Sequence, residues 1–172
     1  MMDLEKIESL TKEFLLAIGE DPNREGLIET PKRVARYWAE MAEGVQYTND
    51  EIANMFNKTF QSEGNQLVEV KDIKCFSHCE HHLALMYDMS IDIMYIPNEK
   101  VLGLSKFARI CDMVTKRLQI QERIGKDIWE ILNKILETDK IEVHIKSKHS
   151  CMNARGARSI DSYTLTKYGS ID

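Results

Sequence analysis

The chain has 172 residues, 43% hydrophobic and 30% charged, which fits one soluble domain with a real core or a small domain with a helical lead-in. Its net charge of −5 argues against a general nucleic-acid binder while leaving room for a local anion grip. No apolar run is suited to spanning a membrane, no signal-peptide pattern stands at Met1-Met2-Asp3, and the cysteines are spaced too unevenly for a disulfide framework, so the expected compartment is the cytoplasm.

Leu4, Ile7, Leu10, Phe14 and Ile18 recur at helical spacing, so an amphipathic helix is expected over residues 4–18, stopped by Gly19. A turn-rich link follows from Asp21-Pro22-Asn23 to Gly26. Thr30 then reads as the cap and Pro31 as the first residue of a second helix, with Val34, Trp38 and Met41 as its apolar stripe. Lys32, Arg33 and Arg36 lie in its first turns, where cations gain nothing from the helix dipole. On composition they read as a solvated face; the sharper reading is an anion grip. Residues 44–66 carry little pattern beyond Ile52, Met55 and Phe56 at helical spacing.

Two strand-like stretches follow, at 67–73 and 83–96, the second ended by Pro97-Asn98. Residues 105–118 return to helical spacing through Phe107, Ile110, Cys111, Val114 and Leu118, and Cys111 on that stripe reads as a small buried hydrophobe. A further helix carries Ile124, Ile128, Ile131, Leu132, Ile135 and Leu136, with Gln121 and Glu122 at the junction. Ile141-Glu142-Val143-His144-Ile145-Lys146 alternates strictly, as a half-buried strand does, and 163–166 offers a last strand. Two strands, two helices and two strands after a pair of leading helices predict an α+β layer: an antiparallel sheet with helices on one face.

Between the first two strands stands Cys79-Glu80-His81-His82, and Cys151 follows far downstream. Cys79, His82 and Cys151 can supply three ligands to one zinc ion, with the fourth tetrahedral position open to water. His81 and His149 then stand beside it as unligated imidazoles able to move protons. Cys75 leaves a second reading open, a closed structural site of four ligands. Against it, Cys75 precedes Cys79 by four positions in extended chain, and a sealed site has no use for two more histidines.

Cys79-Glu80-His81-His82-Leu83, Val101-Leu102-Gly103-Leu104-Ser105-Lys106, Gln119-Ile120-Gln121-Glu122-Arg123 and His149-Ser150-Cys151-Met152 with Ala154-Arg155-Gly156 together resemble the GTP cyclohydrolase I family, as does Thr30-Pro31-Lys32-Arg33-Val34-Ala35 upstream. The resemblance implies a T-fold, an antiparallel sheet with two helices on one face. Residues 1–66 would form a helical extension and linker, and 67–172 the catalytic domain. It implies hydrolytic opening of GTP to 7,8-dihydroneopterin triphosphate and formate, the entry to tetrahydrofolate and pterin synthesis, in a homodecamer of two stacked pentamers with sites where subunits meet. By position, Cys79, His82 and Cys151 would hold Zn2+, and His81 and His149 would transfer protons. Glu122, with Gln121 beside it, would hold the guanine edge. Ser105, Lys106, Arg109 and Arg155 would hold ribose and triphosphate, joined by Arg33 and Arg36 of a neighbouring subunit. One departure is that residues 85–94 carry no glycine where the family's hairpin has one. A T-fold relative acting on a deazapurine, or a non-catalytic zinc-stabilised assembly, are the alternative readings.

Overall fold

The computed structural model describes residues 2–172; Met1, the first residue of the expected extension, lies outside them. Strict alternation sets the sheet. Strand β6 (Ile141–His149) buries Ile141, Val143 and Ile145 while Glu142, His144 and Lys146 stay on the wetter face. It pairs antiparallel with β3 (Ala84–Tyr95) on one side and β7 (Thr164–Ser170) on the other. Strand β2 (Val68–Cys79) pairs with β3 and takes the two-residue β5 (Leu118–Gln119) on its outer edge in parallel, giving the order β5-β2-β3-β6-β7. A short separate ribbon joins β1 (Thr59–Gln61) to β4 (Lys100–Leu102).

Helices α4 (Leu104–Thr115) and α5 (Gln121–Leu136) lie against the sheet, and their stripes make the core: Phe107, Ile110, Cys111 and Val114 from one, Ile124, Ile128, Ile131, Leu132 and Leu136 from the other. An antiparallel sheet backed by two helices is the α+β T-fold arrangement expected from the sequence. The first of these helices stops three residues early, because Leu118 belongs to β5 and is 38% exposed. The last strand also runs on to Ser170, four residues past its expected end.

The leading segment contains α1 (Leu4–Ala17), α2 (Thr30–Met41), a single 3-10 turn at Glu43–Gln46 and α3 (Asn49–Phe56). Gly19, at φ 88°, ends the first helix as expected. Thr30 is not a cap: the chain is already wound from Arg24, and its hydroxyl donates back to Gly26 O. Helix α3, capped by a reciprocal Thr48–Glu51 pair, places Ile52 and Ala53 inside the main core. The expected stripe of α1 stays largely uncovered within one chain, with Leu10 48% and Phe14 60% exposed. Together with Val34, Trp38, Val45, Leu83 and Leu118 it lines an apolar groove of about 710 Å³.

Residues 85–94, expected to hold a hairpin, lie inside the continuous strand β3, which is interrupted only by a bulge at an aspartate. Asp88 takes a left-handed conformation at φ 50°, where the β3–β6 register slips between Tyr87 and Ser90. Asp tolerates that region better than most residues, and the bulge takes up one residue of β3 that has no partner in β6.

Candidate metal centre and its surroundings

Three strand ends and one helix start converge at one end of the sheet. Cys79 is the last residue of β2 and lies across from Ala84; Met86 of β3 lies across from His149, the last residue of β6. Gln119 of β5 sits beside Cys79, so α5 begins at this same end. After His149 the chain turns into the short helix α6 (Ser150–Asn153), fastened to β3 by Ser150 Oγ donating to Leu85 O at 2.8 Å. Asn153 accepts from His149 N at 3.1 Å and donates into the following loop at Ile160 O and Ser162 O, fixing that return.

This convergence brings the ligand atoms of Cys79, His82 and Cys151 within 4.8 Å of one another. Two thiolates on one tetrahedral zinc stand about 3.8 Å apart, so the cluster needs only small rotations to close on an ion. Burial and the adjoining Cys79 thiol push Cys151 up, a penalty on ionising two close thiols that a divalent cation at their centre reverses. Two sulfurs and an imidazole suit a borderline-soft ion such as zinc. Cys75 does not join them. It is buried among Thr115, Asp112 and Cys111 of α4, its thiol pushed up to about 11 by burial. Four residues of strand put it about 13 Å from Cys79. The closed four-ligand reading therefore fails.

His81 lies beside the cluster, its Nδ1 3.6 Å from Cys79 Sγ. His149 accompanies Cys151, its Nε2 2.8 Å from Gln121 Oε1. Burial lowers the His149 pKa, and the nearby Glu122 carboxylate works in the opposite direction. Glu122 is exposed in the first turn of α5. Arg155 reaches the cluster, its Nη1 3.4 Å from His82 Nε2. Gln121, expected at the guanine edge, is buried, with its side-chain amide engaged inside the chain.

Two contacts at the site had no signal in the sequence. Arg123 makes a two-pronged ion pair with Glu80, at 2.6 and 3.0 Å, tying the turn that carries His81 and His82 to the start of α5. The Arg123 guanidinium holds the Glu80 carboxyl below its usual range. Tyr37 Oη lies 2.6 Å from Nε2 of His78, the residue before Cys79, and so fastens α2 to the ligand-bearing strand. Both link residues some forty positions apart, so no local spacing announces them.

The remaining cations divide. Arg33 and Arg36 are exposed on α2, near the metal end by virtue of the Tyr37 contact. Ser105, Lys106 and Arg109 are not brought to the cluster within this chain. The C-terminal end of α4 packs at Cys75, and Ser105 lies ten residues up that helix, about 15 Å along its axis. Among the described residues, none of Arg33, Arg36, Lys106, Arg109 and Arg155 forms an ion pair.

Fold and cluster together define a T-fold protein whose sheet end carries a three-residue group able to hold a metal ion. Sequence narrows that class to one family. Residues 7–170 match the family model of GTP cyclohydrolase I, and the chain belongs to that family. The GTP cyclohydrolase 1 of Clostridium acetobutylicum is 53% identical over 170 residues, covering 96% of this chain and 87% of that one. That of Ruminiclostridium cellulolyticum is 53% identical over 171 residues, covering 96% and 88%. That of Clostridium botulinum strain Kyoto is 51% identical over 171 residues, covering 96% and 87%.

Proposed function

We propose that the chain converts GTP and water to 7,8-dihydroneopterin triphosphate and formate, at a zinc ion held by Cys79, His82 and Cys151. The observation that carries this reading is the gathering of those three ligands at the sheet end, with His81 and His149 beside them. Zinc held there supplies Lewis acidity and makes hydroxide available from water near neutral pH. His81 and His149 move protons to and from the purine as its five-membered ring opens at carbon 8. Glu122 accepts from two N–H groups of the guanine edge, a match adenine does not offer. Arg155 and the unpaired cations Arg33, Arg36, Lys106 and Arg109, with Ser105, neutralise and orient the triphosphate.

The 1–66 segment is a helical extension packed onto the 67–172 catalytic domain. The chain works as a homo-oligomer, a decamer of two stacked pentamers. Its uncovered apolar groove and the separation of Ser105, Lys106 and Arg109 from the metal end both support sites shared between subunits. No helix among the described residues is long and apolar enough to cross a membrane, and the cytoplasm is the proposed compartment.

Incubating the zinc-loaded protein with GTP should release formate and, after oxidation, a fluorescent pterin. His149→Ala should keep its zinc and lose turnover, whereas Cys151→Ala should lose the zinc itself. Unchanged zinc content in the Cys151 variant would overturn the ligand assignment. Absence of formate from the loaded wild-type protein would overturn the reaction.

A further inference from the structure

Gln121 precedes the guanine-binding Glu122 in sequence, yet it is only 2% exposed. Its amide nitrogen lies 2.9 Å from Ile145 O, 3.1 Å from Thr164 O and 3.3 Å from Thr166 Oγ1. The first two are main-chain carbonyls of β6 and β7, and carbonyls only accept. Turning the amide over would set its oxygen against both, so the nitrogen must occupy this position. The oxygen then meets His149 Nε2 at 2.8 Å, and because an amide oxygen cannot donate, Nε2 carries the hydrogen. Nδ1 keeps its lone pair, has no partner among the described residues and is not sealed from solvent.

We propose that Gln121 is a positioning residue, which fixes His149 as the Nε2–H tautomer and makes Nδ1 the atom through which His149 exchanges its proton. The inference rests on the reading of His149 as a proton-transfer group. Nδ1 takes one proton during ring opening, and the ring becomes an imidazolium protonated on both nitrogens. Nδ1 then returns one proton, and the Nε2–H bond to Gln121 is kept throughout. The cycle leaves no net proton on the protein and needs no further reactant. A neutral amide orients the ring without the added negative charge that a carboxylate partner would bring. Because the same amide bridges two strands, the tautomer is built into the sheet and not left to a mobile side chain.

The test is the 15N solid-state spectrum of histidine-labelled, zinc-loaded protein, with His149 assigned by subtracting the spectrum of His149→Ala. Hydrogen on Nε2 and a bare Nδ1 are expected; hydrogen on Nδ1 overturns the proposal without any variant at Gln121. Gln121→Met, similar in length but lacking the amide, should show mixed tautomers and the wild-type zinc content. Its kcat should fall about 10–100-fold while KM for GTP stays within about threefold. A Gln121→Met enzyme with raised KM and intact kcat would make Gln121 a substrate contact and defeat the positioning role. Full turnover in His149→Ala would instead defeat the reading on which the proton path rests, and the spectrum would still decide the tautomer.

Discussion

Arg117 offers the sharpest test of how the site is held. Its guanidinium donates to Gly44 O at 3.1 Å, Tyr47 O at 2.9 Å, Asn49 Oδ1 at 2.7 Å and Asp127 Oδ2 at 3.0 Å. The Arg117 and Asp127 side chains are only 15% and 12% exposed, so this is not a surface pair. Arg117→Met keeps most of the stem but leaves Asp127 with the amides of Gln119 and Asn49 as its donors. Removing one partner of a buried ion pair costs about 3–5 kcal/mol, because the other charge stays desolvated. For a chain of this length that lowers Tm by roughly 6–20 °C. Calorimetry at matched protein concentration reads it, since Tm depends on concentration wherever chains associate. Arg117→Met with Asp127→Asn should lose less than the two single losses added together, because the orphaned charge is gone. A loss below about 1 kcal/mol, the range of exposed pairs, would refute the reasoning. The consequence reaches the site: Gln119, which donates to Asp127, also accepts from Glu80 N at 3.0 Å, inside the turn that carries His81 and His82.

Burial makes a second prediction about thiols. With its pKa pushed up to about 11, roughly one Cys75 side chain in a thousand is thiolate at pH 8, so iodoacetamide should leave Cys75 and Cys111 unmodified in the native protein. Stripping the metal should open Cys151 to labelling first, as peptide mass spectrometry would show; labelling of Cys75 ahead of Cys151 would contradict the burial argument. Gly169→Ala should cost about 2–5 kcal/mol, combining left-handed backbone strain with overpacking. The glycine sits at φ 81°, and an added Cβ would lie 2.1 Å from Ile141 O and 2.6 Å from Trp129 Cδ1. Gly19→Ala, at φ 88° with nothing within 4 Å, isolates the strain alone at about 1–2 kcal/mol. Denaturant midpoints that fall equally in both variants would remove the steric part.

What could be read from the sequence follows the range of the interaction that determines it. Strand β6 and helix α5 were legible because their burial repeats with the period of their own backbone. The grouping of Cys79, His82 and Cys151 was legible because Cys79 and His82 lie within one turn and only Cys151 had to be brought from afar. Strand β5 was not: two residues carry no period, and parallel pairing with His78 and Cys79 alone defines it. The α1 stripe was read correctly as apolar, but within one chain only Leu15 of that helix is buried, since periodicity reports that a face wants cover and not what covers it. Gln121 shows the limit most clearly. The resemblance set it beside Glu122 at the guanine edge, whereas the contacts that hold its side chain reach up to 45 positions away and no local spacing announces them.

The placement of α4 turns the proposed oligomer into a question about catalysis. Its N-terminal Ser105, Lys106 and Arg109 lie toward the end of the sheet away from Cys79, while the cluster itself has Arg155 at hand. A triphosphate tied to the metal end could meet both sets only if α4 came from another chain. Mixing offers a direct test. Cys151→Ala subunits keep their α4 cations, and Lys106→Ala subunits keep their metal, so each pure assembly should be nearly inactive. In an equimolar mixed assembly built by subunit exchange or co-expression, a metal-bearing subunit meets an intact α4 neighbour in about a quarter of the sites, given a heterologous ring contact. Formate release should therefore recover to about a quarter of the wild-type rate. If α4 served the metal of its own chain, no arrangement of these two subunits would contain a complete site. A mixed assembly as inactive as its parents would then refute shared sites.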